Sequence, residues 1–184
     1  MPQVSQRGIE LPASPIRKLT PFADQAKKRG MKVYHLNIGQ PDLPTPEKAL
    51  NAVRKIGRKT LEYSPSQGLK SLRDKFAVYY RKFGIDLSPE QIIVTAGGSE
   101  ALLATFLTCF DEGDEVIITE PGYANYLGFA KAAGLTVKAV TSRIEDRFAL
   151  PSAEDFRKAI TPKTKAILIC NPNNPTGYLY SPEE

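Results

Sequence analysis

Three clusters in the 184-residue chain carry residue types suited to holding a flat, anionic ligand. The heptapeptide NPNNPTG, Asn171 to Gly177, follows the apolar run Ala166-Ile-Leu-Ile-Cys170 directly. Its prolines hold an extended path and Gly177 permits a sharp turn, which leaves asparagine amides free to donate to an oxygen on a planar ligand. Gly97-Gly98-Ser99 stands between a short apolar run and a helical pattern. Free N–H groups at a helix start, with a hydroxyl beside them, make an anion site, although the same tripeptide also serves as a plain turn. The third cluster, EPGYANY from Glu120 to Tyr126, places two tyrosines after an apolar run. They are suited to stacking on a flat ligand or to ordinary core packing.

Such clusters need elements to carry them. Lys32 to Ile38 reads as a strand ending in the turn cluster Gly39-Gln-Pro-Asp42, with His35, the single histidine, inside it as a structural residue. Thr20-Pro21 and Thr45-Pro46 read as N-cap and first-turn proline of two short helices, which Gly30 and Gly57 stop. Leu69, Leu72, Phe76, Tyr79, Tyr80 and Phe83 recur at helical spacing. After them Gln91 to Thr95 reads as a strand. Leu102, Leu103, Phe106, Leu107 and Phe110 mark one face of the next helix. Strands follow at Glu115 to Thr119 and Thr136 to Val140, with a helix from Tyr123 to Ala133 between them. Ser152, with Asp155 three residues on, caps a helix through Ile160, and Lys165 to Cys170 returns as a strand. This alternation predicts an α/β domain with a mainly parallel sheet and flanking helices, whose ligands gather at the carboxyl ends of the strands.

Composition narrows the classes. Hydrophobic content of 41% with 24% charged residues is that of a globular protein, neither disordered nor fibrous. The longest apolar runs fall far short of a membrane span, and the start MPQVSQRG has no apolar signal core, so the expected location is cytoplasmic, with no membrane partner. Net charge is +5, and residues 1–60 hold 12 Lys+Arg against 4 Asp+Glu. Those cations are scattered over helical faces without interleaved aromatics, which reads as a solvated surface and not a nucleic-acid site. Cys109 and Cys170 have neither disulfide nor metal-ligand spacing and read as small core residues. Ser181-Pro-Glu-Glu184 has the makings of a helix start, from which we expect the sequence to be the N-terminal part of something longer.

Taken in order, NIGQPD (Asn37 to Asp42), YSPSQGLKSLR (Tyr63 to Arg73), TAGGSEAL (Thr95 to Leu102), EPGYANY and NPNNPTG are far more specific than any one of them. Together they resemble the class I/II aminotransferases, pyridoxal-phosphate enzymes of the aspartate aminotransferase superfamily, of fold type I. The resemblance covers nearly the whole chain. It implies an N-terminal arm and small-domain segment at residues 1–45, and the first part of the large cofactor-binding domain at 46–184. It implies that Gly39 lies near the substrate carboxylate. Tyr63 would reach across a homodimer to the neighbouring subunit's cofactor phosphate. Gly98, Ser99 and Glu100 would form the phosphate cup. Tyr123 would stack on the pyridine ring, and Asn174 would donate to the 3′ oxygen on the side where substrate binds. In this family the Schiff-base lysine, the aspartate at the pyridine nitrogen, a second tyrosine and the carboxylate-clamping arginine lie downstream of Asn-Pro-Thr-Gly. Only seven residues follow that motif here, and no lysine of the chain matches the Schiff-base motif, so no catalytic residue is assigned. The implied activity is transfer of an amino group between an amino acid and a 2-oxo acid. A carbon–sulfur lyase or decarboxylase on the same scaffold, or a non-catalytic remnant, stays open at this point.

Overall fold

Strand-forming and helix-forming stretches alternate along the second half of the chain, and a computed structural model, which describes residues 3–14 and 16–184, turns them into a layered unit. The helices are α1 (Gln6–Glu10), α2 (Thr20–Lys28), α3 (Glu47–Arg54), α4 (Lys70–Arg81), α5 (Gly98–Cys109), α6 (Asn125–Ala132) and α7 (Ala153–Ala159). The strands are β1 (Glu115–Glu120), β2 (Thr136–Thr141) and β3 (Thr164–Leu168). Two compact units result, one built from the described part of residues 1–33 with Ser99–Glu184, the other from Tyr34–Gly98.

In the first unit the three strands form a parallel sheet in the order β2-β1-β3. A central parallel strand is covered on both faces and must be apolar throughout. β1 meets that demand with Val116, Ile117 and Ile118, all buried, and Ile117 has no exposed surface. Phe106 of α5, Ala130 of α6, Val116 and Leu135 make the core, with Leu102, Phe110 and Phe129 packed against it. Leu102, Phe106 and Phe110 follow one another at four-residue intervals, so a single stripe of α5 lies on the sheet. α7 begins with the capping box expected at Ser152: the Asp155 N–H donates to Ser152 Oγ, and the Ser152 N–H to Asp155 Oδ2.

The second unit centres on α4. Arg73 Nη1 donates to the Pro89 carbonyl at 2.5 Å and Arg73 Nε to the Gly68 carbonyl at 3.2 Å. These bonds tie α4 to the 3-10 turn Pro89–Gln91, which Ser88 and Gln91 cap reciprocally. Ala77 and Ile92 are its buried apolar residues.

The expected parallel α/β architecture is what forms, but several local expectations are corrected. Residues 32–38 and 92–95 are irregular and not strands: β propensity becomes a strand only where a neighbour completes the ladder. Leu36 is 94% exposed and His35 is exposed too, in place of the structural position expected of it. Thr20 is the first residue of α2, because the chain is already helical through Arg17–Leu19, and α3 is preceded by Pro46 in the cap position. β3 stops at Leu168, two residues early. Cys109 is exposed and Cys170 half-buried, so neither is a core residue. At the far end the Ser181 N–H donates to Glu184 Oε2 and the Glu184 N–H to Ser181 Oγ, the reciprocal bonds of a helix start. Among the described residues no helix is long and apolar enough to cross a membrane.

Candidate functional site

Strands β1 and β3 pair in register, Val116 with Ala166 through Ile118 with Leu168. The segments that leave these two strands therefore emerge at the same, carboxyl, edge of the sheet. After β1 comes Pro121-Gly122-Tyr123; after β3 comes the loop 171–177. The sheet thus brings Tyr123 and Asn174 to one edge of one unit. α5 precedes β1 with only residues 110–114 between them, and its stripe packs on Val116, so the helix runs back over the sheet and opens towards that edge. Ser99 and Glu100 stand in its first turn, both exposed.

Tyr123 follows a tight turn and is held by two side chains. Gly122 lets the chain turn tightly, since a Cβ there would stand 2.7 Å from the Thr119 carbonyl oxygen. Asn125 Nδ2 donates to the Tyr123 hydroxyl at 2.8 Å. The Tyr126 ring meets the Tyr123 ring edge-on, centroids 5.3 Å apart at 83°, a favourable arrangement for two aromatic quadrupoles. Burial, the neighbouring Cys170 sulfur and Tyr123 push the Tyr126 hydroxyl up to about 12, so it stays neutral.

The loop after β3 folds on its own hydrogen bonds. The Asn173 N–H donates to the Tyr178 carbonyl at 2.8 Å, and the Gly177 N–H donates to the Asn173 carbonyl at 2.9 Å. Thr176 donates to Asn173 Oδ1 from its N–H at 3.3 Å and from Oγ1 at 3.1 Å. The Tyr180 N–H donates to Asn171 Oδ1 at 3.0 Å. Gly177 has a φ of 73°, the left-handed region that glycine enters freely. Asn173 is buried, whereas Asn174 is exposed at the tip.

Of the residues singled out in the sequence, Ser99, Glu100, Tyr123 and Asn174 belong to the first unit, and Gly39, Tyr63 and Gly98 to the second. Gly39 lies in an exposed irregular segment, and Tyr63 is fully exposed. The supporting roles of Asn125, Asn173 and Thr176 emerge only from the structure. The Asn-x-x-Thr spacing of Asn173 and Thr176 suits an asparagine side chain that accepts from backbone and hydroxyl just ahead of it, a signal that the sequence does carry. The arrangement offers a flat ring face, an amide and a helix start with a hydroxyl: donors for a planar heterocycle bearing an oxygen and a phosphate.

A family model described as aminotransferase class I and II matches residues 31–184. An aspartate aminotransferase of Thermotoga maritima is 37% identical over 182 residues, which are 98% of this chain and 48% of that protein. An aspartate/prephenate aminotransferase of Thermus thermophilus is 37% identical over 161 residues, 86% of this chain and 42% of that protein. Among solved structures, a single mutant of Thermus thermophilus aspartate aminotransferase superposes with a TM-score of 0.92 at 36% identity, covering 100% of this chain and 48% of that one. An alanine aminotransferase from Pyrococcus furiosus gives 0.91 at 36% identity, over 98% and 47% of the two chains. The chain spans about half the length of the relatives it matches.

Proposed function

The chain belongs to the class I and II aminotransferases, and from that membership we propose that it forms part of an enzyme that moves an amino group between an amino acid and a 2-oxo acid with pyridoxal 5′-phosphate. The observation that carries this reading is the delivery of Tyr123 and Asn174 to one edge of the sheet by the paired strands β1 and β3. Pyridoxal phosphate, when bound, supplies the electron sink that lets the amino group leave one acid and join another.

The chain's own residues bind and orient. The first-turn N–H groups of α5 and the Ser99 hydroxyl take the phosphate, whose negative charge the helix dipole favours. The Tyr123 ring, steadied by Asn125 and Tyr126, stacks on the pyridine. Asn174 donates its amide to the ring oxygen, and Gly39 lies by the substrate carboxylate. In this reading the assembly is a cytoplasmic homodimer in which Tyr63 serves the neighbouring subunit's phosphate. The aspartate and aspartate/prephenate aminotransferases among the relatives make aspartate the first amino donor to assay. No lysine of the 184 residues matches the family's covalent partner, so the role proposed for these residues is to hold the cofactor.

The test is a titration of the chain with pyridoxal 5′-phosphate, read by tyrosine fluorescence, since the sequence has eight tyrosines and no tryptophan. Saturable binding that weakens in Tyr123→Ala and Asn174→Ala is expected. No saturable binding would overturn the reading.

A further inference from the structure

The Asn174 side chain is placed by the residue before it. We propose that Asn173 is a positioning residue: its buried carboxamide clamps Thr176 and so fixes the two-residue tip, Asn174 and Pro175, in one conformation. The step from a fixed tip to cofactor recognition rests on the proposed function. The conformational claim does not.

The clamp encloses the tip from both ends. Asn173 Oδ1 accepts from the Thr176 N–H and from Thr176 Oγ1, and the Thr176 oxygen accepts in turn from the Tyr178 N–H at 3.2 Å. The backbone of Asn173 is bonded on both sides, its N–H to the Tyr178 carbonyl and its carbonyl to the Gly177 N–H. Residues 173 and 176 therefore cannot move apart without breaking bonds at a buried polar group, which is the costly place to break them. Among the described residues the Asn174 carboxamide makes no hydrogen bond and its side chain is exposed. A donor that must meet one oxygen on a ligand gains most from having its backbone fixed beforehand, since a fixed backbone restricts χ1 and binding then orders only the terminal carboxamide. Asn173 and Thr176 provide that order without contact to the ligand.

The experiment uses the full chain and four variants: Asn173→Ala, Asn173→Asp, Thr176→Val and Thr176→Ser. The first readout needs no ligand: the χ1 population of Asn174 from side-chain couplings in asparagine-labelled protein. The second compares the affinity for pyridoxal 5′-phosphate with that for inorganic phosphate. We expect one dominant Asn174 rotamer in the parent chain, averaging in Asn173→Ala, and recovery in Asn173→Asp, which keeps the accepting oxygen. We expect pyridoxal phosphate affinity to fall about tenfold in Asn173→Ala, the worth of one or two net hydrogen bonds. Thr176→Val should follow Asn173→Ala and Thr176→Ser should retain parent affinity, with inorganic phosphate binding unchanged throughout. An unaltered Asn174 rotamer in Asn173→Ala, or failure of Asn173→Asp to restore it, would overturn the proposal. Equal loss of pyridoxal phosphate and inorganic phosphate would also overturn it, by showing general damage. A parent chain that binds no pyridoxal phosphate but loses its Asn174 rotamer in Asn173→Ala would remove the cofactor reading and leave the clamp standing.

Discussion

Thr161 Oγ1 donates to Glu115 Oε2 at 2.7 Å, joining the segment before β3 to the first residue of β1. Thr164 Oγ1 adds a bond to the same oxygen at 3.2 Å, and Lys138 Nζ of β2 stands 3.5 Å from Oε1. One buried carboxylate thus gathers all three strands at their amino end, where the β1–β3 register shifts. The Thr161 hydroxyl above all, then Thr164 and Lys138, hold its carboxyl below the ordinary glutamate range. The folded value lies under the unfolded one, so the stabilisation is complete above the ordinary value of about 4.3 and is lost as pH falls through the lower folded value. Glu115→Gln should therefore lower the urea midpoint at neutral pH, with a deficit that shrinks in acid. A deficit as large at pH 3 as at pH 7 would contradict the assignment.

The sheet carries a second test, independent of charge. Ile117 has no exposed surface at the centre of β1, while Leu107 on α5 is 61% exposed. Ile117→Ala should cost about 2–5 kcal/mol through lost burial and the cavity left behind. Leu107→Ala should stay within about 0.5 kcal/mol of the parent. Urea denaturation of both variants checks the contrast, which reverses if Leu107 is packed and Ile117 is not.

Gly122 links the sheet to the tyrosines. A methyl there would meet the Thr119 carbonyl oxygen at 2.7 Å, a backbone atom that cannot swing aside. Gly122→Ala should displace the turn at a cost of about 1–3 kcal/mol and weaken pyridoxal phosphate binding at the Tyr123 ring. Inorganic phosphate binding at α5 should be untouched. Unchanged affinity for both ligands would show that the turn does not position Tyr123.

Legibility in the sequence divides along a physical line. β1, β2 and β3 and the helices between them were legible because burial on a parallel sheet imposes long apolar runs and regular stripes, as in Val116-Ile-Ile118 or Leu102, Phe106 and Phe110. Lys32 to Ile38 carries the same β-branched and aromatic types but forms no strand, because a strand also needs a neighbour to build the ladder and composition alone does not specify one. Tyr123 and Asn174 can be picked out as candidates through the order of motifs. Their supports were not, because Asn125 and Asn173 act through side-chain bonds over two or three residues that leave no periodic trace.

The Tyr123 support can be weighed by removing the same bond from either end. Asn125 Nδ2 donates to the Tyr123 hydroxyl, so Asn125→Ala and Tyr123→Phe each delete that one interaction while keeping a ring at position 123. If the bond holds the ring in its stacking orientation, each variant should weaken pyridoxal phosphate binding about three- to tenfold, as expected for one net hydrogen bond. The double variant should then be no weaker than either single, because the second change finds nothing left to break. Effects that multiply in the double variant would mean that the two side chains act separately, with the edge-on contact of Tyr126 alone keeping the Tyr123 ring in place.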